Sequence, residues 1–273
     1  MDYLHIKDAF TNATRIVLKV GSDLMVEPDT GRVRRDWLSD FVEDIKYLHS
    51  LDKEVVAVMS GAVAMGRYDA GFSVDQRLTV DEKQLAATWG HQHHTMEIYN
   101  AFCEHDVRVA SGLLIEPSHI VNDNRDRNNF RRNINHVLSR LGVPVVNEND
   151  AVANEELKFG NNDVLCAHVA SIIDADLMVI LSDVDGLYDR DPKQNVDAHH
   201  VPYINKLDND VFSMASSETN ASSTGGMSSK LEAVRIAWDH SCNAIIANGN
   251  SEGGITALAN GQARASLFCL SKM

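Results

Sequence analysis

Short apolar runs rich in β-branched residues alternate along the chain with longer stretches whose apolar residues fall every three or four positions. The runs are RIVLKVGSD (15–23), EVVAVMSGA (54–62), VPVVNEND (143–150), DLMVILSDVDG (176–186) and NAIIANGN (243–250). Each is apolar at successive positions, as a strand buried on both faces must be, and each ends in Gly, Ser, Asn or Asp. The longer stretches include DWLSDFVEDIKYLHSL (36–51) and MSSKLEAVRIAWDH (227–240), whose spacing predicts amphipathic helices. Strand and helix in alternation predict an α/β fold with a mostly parallel central sheet covered by helices on both faces. Such sheets take their ligands beyond the carboxyl ends of the strands, where these polar endings fall.

A chain of 273 residues suits one large α/β unit or two lobes sharing a sheet. No repeat or low-complexity tract interrupts it, and none of the five prolines lies between Asp29 and Glu116, so no flexible linker is evident. The least regular stretches are DRDPKQNVDAHH (189–200) and SMASSETNASSTGG (213–226). The second is a polar loop long enough to be a lid or binding loop, or else a plain connector.

Composition narrows the function classes. The net charge of −14 repels polyanions, which argues against general nucleic-acid or acidic-membrane binding and requires a local basic site for any anionic substrate. Cys103, Cys166, Cys242 and Cys269 are too widely spaced for a disulfide framework or a thiolate zinc site. With no leader-like start and no run approaching the ~20 apolar residues of a membrane span, a soluble protein of the reducing cytoplasm is expected. The sequons at Asn12 and Asn220 then read as chance matches.

Several polar residues stand where chemistry is expected. Lys19 lies inside IVLKVG, so its ammonium either meets an anion at the strand end or reaches solvent from an edge strand; Gly21 and Ser22 follow it. Ser60, Gly61 and Ala62 fall at a strand-to-helix turn, which suits an anion at a helix N-terminus or simply an N-cap. Asn147, Glu148, Asn149 and Asp150 offer amides and carboxylates to a small polar ligand, or form a solvated turn. Asn161, Asn162 and Asp163 precede a helical run, so their side chains can bond amides or hold a lysine. The four aspartates of SDVDGLYDRDP (182–192) fail the spacing of an EF-hand and better suit a turn receiving a nucleotide or its magnesium. SSTGGMSSK (222–230) fails the Walker A pattern, although its glycine pair and lysine still suit phosphates. His91, His93 and His94 have no carboxylate or cysteine to complete a metal site and read as exposed or interface histidines. RDRNNFRR (125–132) reads as a helix face or subunit contact.

Taken in order, KVGS, SGAVAMG, NENDAV, FGNND, LSDVDGLYDRDP and TGGMSSK resemble the glutamate 5-kinase family of the amino-acid kinase superfamily, over roughly Arg15 to Phe268. The resemblance implies one amino-acid kinase domain spanning 1–273, a three-layer αβα sandwich. Its amino-acid half would cover about 1–170 and its ATP half about 171–273. It implies transfer of the γ-phosphoryl of ATP to the side-chain carboxylate of L-glutamate, the first step of proline synthesis. Carried over, Ser60, Gly61, Ala62, Asn147, Asp150 and Asn162 would bind glutamate. Lys19, Gly21, Ser182, Asp183 and the segment Thr224, Gly225, Gly226, Met227, Ser228, Ser229 and Lys230 would bind ATP. Lys19 and Lys230 would flank the phosphoryl group, with Asp163 organising them. Mg²⁺ would travel mainly on ATP, with no dedicated protein cage. A homodimer or homotetramer and feedback by proline are further implications; many bacterial members also carry an RNA-binding-like PUA domain, which this sequence, ending at ARASLFCLSKM, is expected to lack.

The chemistry agrees, because a glutamate carboxyl with a pKa of about 4.3 is already ionised and needs no general base. Departures from the family pattern touch the amino-acid half: Asn161 where an aspartate is usual, Ser111-Gly-Leu-Leu-Ile115 for Gln-x-Leu-Leu-Thr, and Asn133 for a threonine. Alternatives are a kinase of the same superfamily with another small acceptor, and a sensor that binds nucleotide or amino acid without turnover.

Overall fold

The computed structural model describes residues 3–116, 124–152, 162–215 and 226–270. Each predicted apolar run forms a strand that ends at its polar ending or one to two residues into it: β1 (Arg15–Val20), β2 (Glu54–Met59), β4 (Gly142–Glu148), β5 (Leu177–Ser182) and β9 (Asn243–Asn248). The chain divides into two units, 20–162 and a second made of 1–19 with 163–273.

In the 20–162 unit the strands run β3 (Arg108–Ile115), β4, β2, and both pairings are parallel. All seven residues of β4 are buried. Three helices lie against these strands: α3 (Arg35–Ser50) on β2, α5 (Val80–Glu104) on β3 and α6 (Asn124–Leu138) on β4. The basic segment 125–132 thus lies on a helix, as expected.

The helix pair that positions the site is α4 (Ala62–Asp69) with α5. α5 starts at a capping box, in which the Thr79 hydroxyl accepts from the Glu82 N–H and the Glu82 carboxylate accepts from the Thr79 N–H. Its buried stripe, Ala86, Gly90, His94, Ile98 and Phe102, advances four residues at a time along one face. The two helices approach through glycine: a β-carbon on Gly90 would fall 1.8 Å from the Ala62 carbonyl oxygen, and one on Gly66 would fall 1.9 Å from that of Ala86. Only glycine at both positions permits backbones this close.

In the other unit the strands run β1, β5, β9, β10 (Ala265–Phe268), β8 (Tyr203–Ile204); β5 with β9 and β10 with β8 are parallel, and β9 with β10 is antiparallel. A short hairpin pairs β6 (Leu187–Tyr188) with β7 (His200–Val201). The Asp176 carboxylate accepts the backbone N–H groups of Thr14 and Arg15, both at 2.8 Å, which fixes the start of β1. α7 (Asn162–Ile172) begins in the 20–162 unit with Asn162 and continues in this one, where α9 (Met227–Asp239) packs on β9. The stretch 189–200 is a chain of local bonds: Asp191 accepts from the Lys193 N–H, and Asp189 from the His199 N–H. Residues 213–215 of the second polar stretch close α8 (Asn209–Ala215), and 216–225 lie outside the described residues. A mostly parallel sheet flanked by helices is the fold class expected from the alternation of runs.

Candidate active site

Two polar clusters form at the carboxyl ends of strands, one in each unit. In the unit of 1–19 and 163–273, Lys19 near the end of β1 places Nζ 2.7 Å from Oδ1 of Asp163, in the first turn of α7. Lys230, in the first turn of α9, places Nζ 3.5 Å from Oδ2 of the same carboxylate, and the Ser229 hydroxyl donates to Oδ2 at 3.3 Å. Asp163 has no exposed surface, while Lys19 and Lys230 are 7% and 5% exposed. Of the two positions open to Lys19 in the sequence, the structure selects the strand end beside an anion.

Burial by itself would raise the Asp163 pKa. The attraction of Lys19 and Lys230 and the hydrogen bonds from Lys19 and Ser229 outweigh it, so the carboxyl is held below its usual range and stays ionised. Two cations face one anion, and Lys230 also stands at a helix N-terminus, where the dipole disfavours a cation. The local excess of positive charge suits a polyanion such as a phosphate chain, even in a chain at −14.

Gly226 is the N-cap of α9, its backbone extended and without a side-chain cap bond. Met227, Ser228, Ser229 and Lys230 make up the first turn; Thr224 and Gly225 lie outside the described residues. At the end of β5 the Ser182 hydroxyl donates to Asp183, whose other oxygen pairs with Lys193 at 2.7 Å. Lys193 was not singled out in the sequence, and only its place in the aspartate-rich turn could have pointed to it. Asp185 and Asp189 accept bonds from Tyr188 and His199, so most carboxylates of this turn shape the turn itself. Among the described residues no group of three His, Cys, Asp or Glu could hold a metal ion.

The second cluster lies in the 20–162 unit. Ser60 follows β2 and Gly61 is the N-cap of α4, with φ at +139°. The Ser60 N–H donates to the Val20 carbonyl at 3.1 Å. Asn162 Nδ2 donates to the Ser60 hydroxyl oxygen and, at 3.1 Å, to Oδ1 of Asn147, at the buried end of β4. Asn147 Nδ2 and Asn162 Oδ1 are buried and have no partner among the described residues. An amide donor and an amide acceptor left over side by side fit a small ligand that carries both a carboxylate and an ammonium. Asp150 sits in the turn after β4, its N–H on the Glu148 carbonyl, and the Asn149 N–H ties that turn to Ile115 of β3. Gly21 precedes the short helix α2 (Ser22–Met25). Asn161 lies outside the described residues.

The histidine reading is corrected in one respect. His94 is not exposed: it is 4% exposed and sits against the Ser60–Gly61 turn. The signal in the sequence was its spacing four residues beyond Gly90, on the face of α5 turned toward α4. His93 is half exposed and pairs with Asp69 at 3.1 Å.

Residues 14–248 match the sequence profile described as "Amino acid kinase family". The chain is 39% identical over 250 residues to a protein of Gluconobacter oxydans (strain 621H) named "Glutamate 5-kinase", covering 91% of this chain and 65% of that protein. It is 40% identical over 257 residues to a "Glutamate 5-kinase" of Caulobacter vibrioides (strain NA1000 / CB15N), covering 93% and 67%. The chain thus spans about two-thirds of the length of these relatives. A UMP kinase from Ureaplasma parvum superposes with a TM-score of 0.62 at 16% identity, covering 94% of this chain and 98% of that one. An isopentenyl phosphate kinase, solved as a substrate complex, gives 0.62 at 18%, covering 93% and 99%. At these identities the structures establish the fold alone.

Proposed function

Because the chain belongs to the amino acid kinase family, we propose that it phosphorylates the side-chain carboxylate of L-glutamate with ATP, giving L-glutamyl 5-phosphate and ADP for proline synthesis. The observation that carries the phosphoryl-transfer part is the buried Lys19–Asp163–Lys230 group. The acceptor rests on the relatives at about 40% identity and on the unfilled amide groups of Asn147 and Asn162.

In this reading one carboxylate oxygen of glutamate attacks Pγ as the bond to the β–γ bridging oxygen breaks. The acceptor is already an anion, so no base takes a proton from it. The barrier lies in bringing two anions together and spreading charge over the equatorial oxygens. Lys19 and Lys230 supply positive charge to those oxygens, and Asp163 holds both ammonium groups in place. Ser60, Gly61, Ala62, Asn147, Asp150 and Asn162 bind the amino acid. Gly21, Ser182, Asp183 and the segment from Thr224 to Ser229 bind the nucleotide. Magnesium would travel with ATP and supply further neutralising charge, since both oxygens of Asp163 face lysines rather than an open metal position.

The same reading takes the protein to be cytoplasmic, and among the described residues no helix is long and apolar enough to cross a membrane. It also takes the chain to form a homodimer or homotetramer under feedback by proline. The outer face of α5 supports the assembly, since Trp89, Met96 and Tyr99 are each 53% exposed there. Trapping the acyl phosphate with hydroxylamine, across a panel of carboxylate and phosphate acceptors, tests the activity.

A further inference from the structure

We infer that His94 is a positioning residue of the amino-acid site: from helix α5 it fixes the Ser60–Gly61 turn in the shape that receives the acceptor. The inference rests on the proposed glutamate reading for the identity of that acceptor, but not for the geometry of the turn.

α5 reaches this turn by its own periodicity. Gly90 lies against the Ala62 carbonyl, and one helical turn later His94 arrives at the residues immediately before Ala62. A ring nitrogen of His94 donates to the Ser60 backbone carbonyl. Nε2 is buried without a partner among the described residues, so the donor is Nδ1 and the ring is the Nδ1–H tautomer. Burial, followed by the nearby His91 and against the Ser60 bond, lowers the His94 pKa to about 4, which keeps this tautomer neutral at ordinary pH.

Ser60 is thereby held at three points. Its N–H goes to Val20, its carbonyl accepts from His94, and its hydroxyl accepts from Asn162. Gly61 is wedged as well, since a β-carbon there would fall 2.8 Å from Met25 Cε, 3.2 Å from Val26 Cγ2 and 3.4 Å from His94 Cδ2. A buried ring with one nitrogen unsatisfied is an expensive filler, and a leucine would occupy the space without that cost. The bond to Ser60 is what the imidazole adds. It lets the hydroxyl of Ser60 and the first N–H groups of α4 keep one direction while a ligand binds.

The test compares His94→Leu, which fills the space, with His94→Asn, whose amide nitrogen can stand where Nδ1 does. Both are measured by steady-state kinetics in glutamate and in ATP, and by hydrogen exchange of the peptide covering residues 58–66. His94→Leu is expected to raise the glutamate KM about tenfold, leave the ATP KM within about twofold, and speed exchange at residues 60–62 about tenfold. His94→Asn should restore most of both. An unchanged glutamate KM in an active His94→Leu, equal changes in both KM values, or no recovery by Asn overturns the inference. A wild-type protein without turnover on glutamate would sink the glutamate reading instead, and exchange alone then decides: unchanged protection at 60–62 in His94→Leu rejects the positioning role.

Discussion

Lys19 and Asp163, remote in sequence, meet as a buried ion pair at 2.7 Å, with Lys230 on the other oxygen of the same carboxylate. Removing the carboxylate takes away the anion that both of these nearly buried ammonium groups face. Asp163→Ala should therefore cost about 3–5 kcal/mol of folding stability, read from urea unfolding. A loss near zero would mean that the lysines escape to solvent and that the cluster is not a fixed element of the site.

Lys230 serves transfer more than binding in this account, because charge on the moving phosphoryl group is greatest in the transition state. Lys230→Ala is expected to lower kcat by about 10²-fold or more while the glutamate KM changes little. An unchanged kcat removes Lys230 from the phosphoryl site.

The leftover amide of Asn147 makes a separate prediction. Asn147→Ala takes away both the Nδ2 that has no partner among the described residues and the acceptor that holds Asn162. The glutamate KM should rise about tenfold with the ATP KM little altered, as steady-state kinetics would show. A rise in the ATP KM alone would place Asn147 on the nucleotide side.

Acid should act on the fold in two distinguishable windows. The folded-state pKa of His94, about 4, lies below its unfolded value of 6.5, so the unfolded chain binds the proton first. Stability is full above the unfolded value and falls as pH drops from there toward the folded one, by about 2 kcal/mol between about pH 7.5 and about pH 5. Asp163 is also depressed, from 3.8, so its contribution persists through that window and is lost only at lower pH. Urea midpoints against pH should show a shallower slope between pH 6.5 and 4 in His94→Leu. Burial also lowers His49, His91 and His200, which keep part of the slope in the variant. Equal slopes in the two proteins would contradict the buried neutral ring.

Much of this was legible in the chain. Continuous apolar runs such as MVIL in β5 have no strand reading except a doubly buried one, and their polar ends marked where Ser60, Asn147 and Ser182 would stand, with Lys19 inside one such run just before its end. The order of motifs pointed to Asp163 and Lys230 although 67 residues separate them. His94 was not legible as a site residue, because its role depends on how closely α4 and α5 approach. That distance is set by Gly66 and Gly90, each of which reads by itself as an ordinary helical glycine. Lys193 was hidden for a similar reason: its partnership with Asp183 comes from the fold of the turn.

The most direct measurement is hydroxamate formation by the full chain with Mg-ATP, hydroxylamine and L-glutamate, set against ADP release and against a panel of other acceptors. Hydroxamate is expected in step with ADP, dependent on glutamate and faster with it than with any other acceptor. ADP release without hydroxamate, or a better acceptor than glutamate, would contradict glutamate as the acceptor.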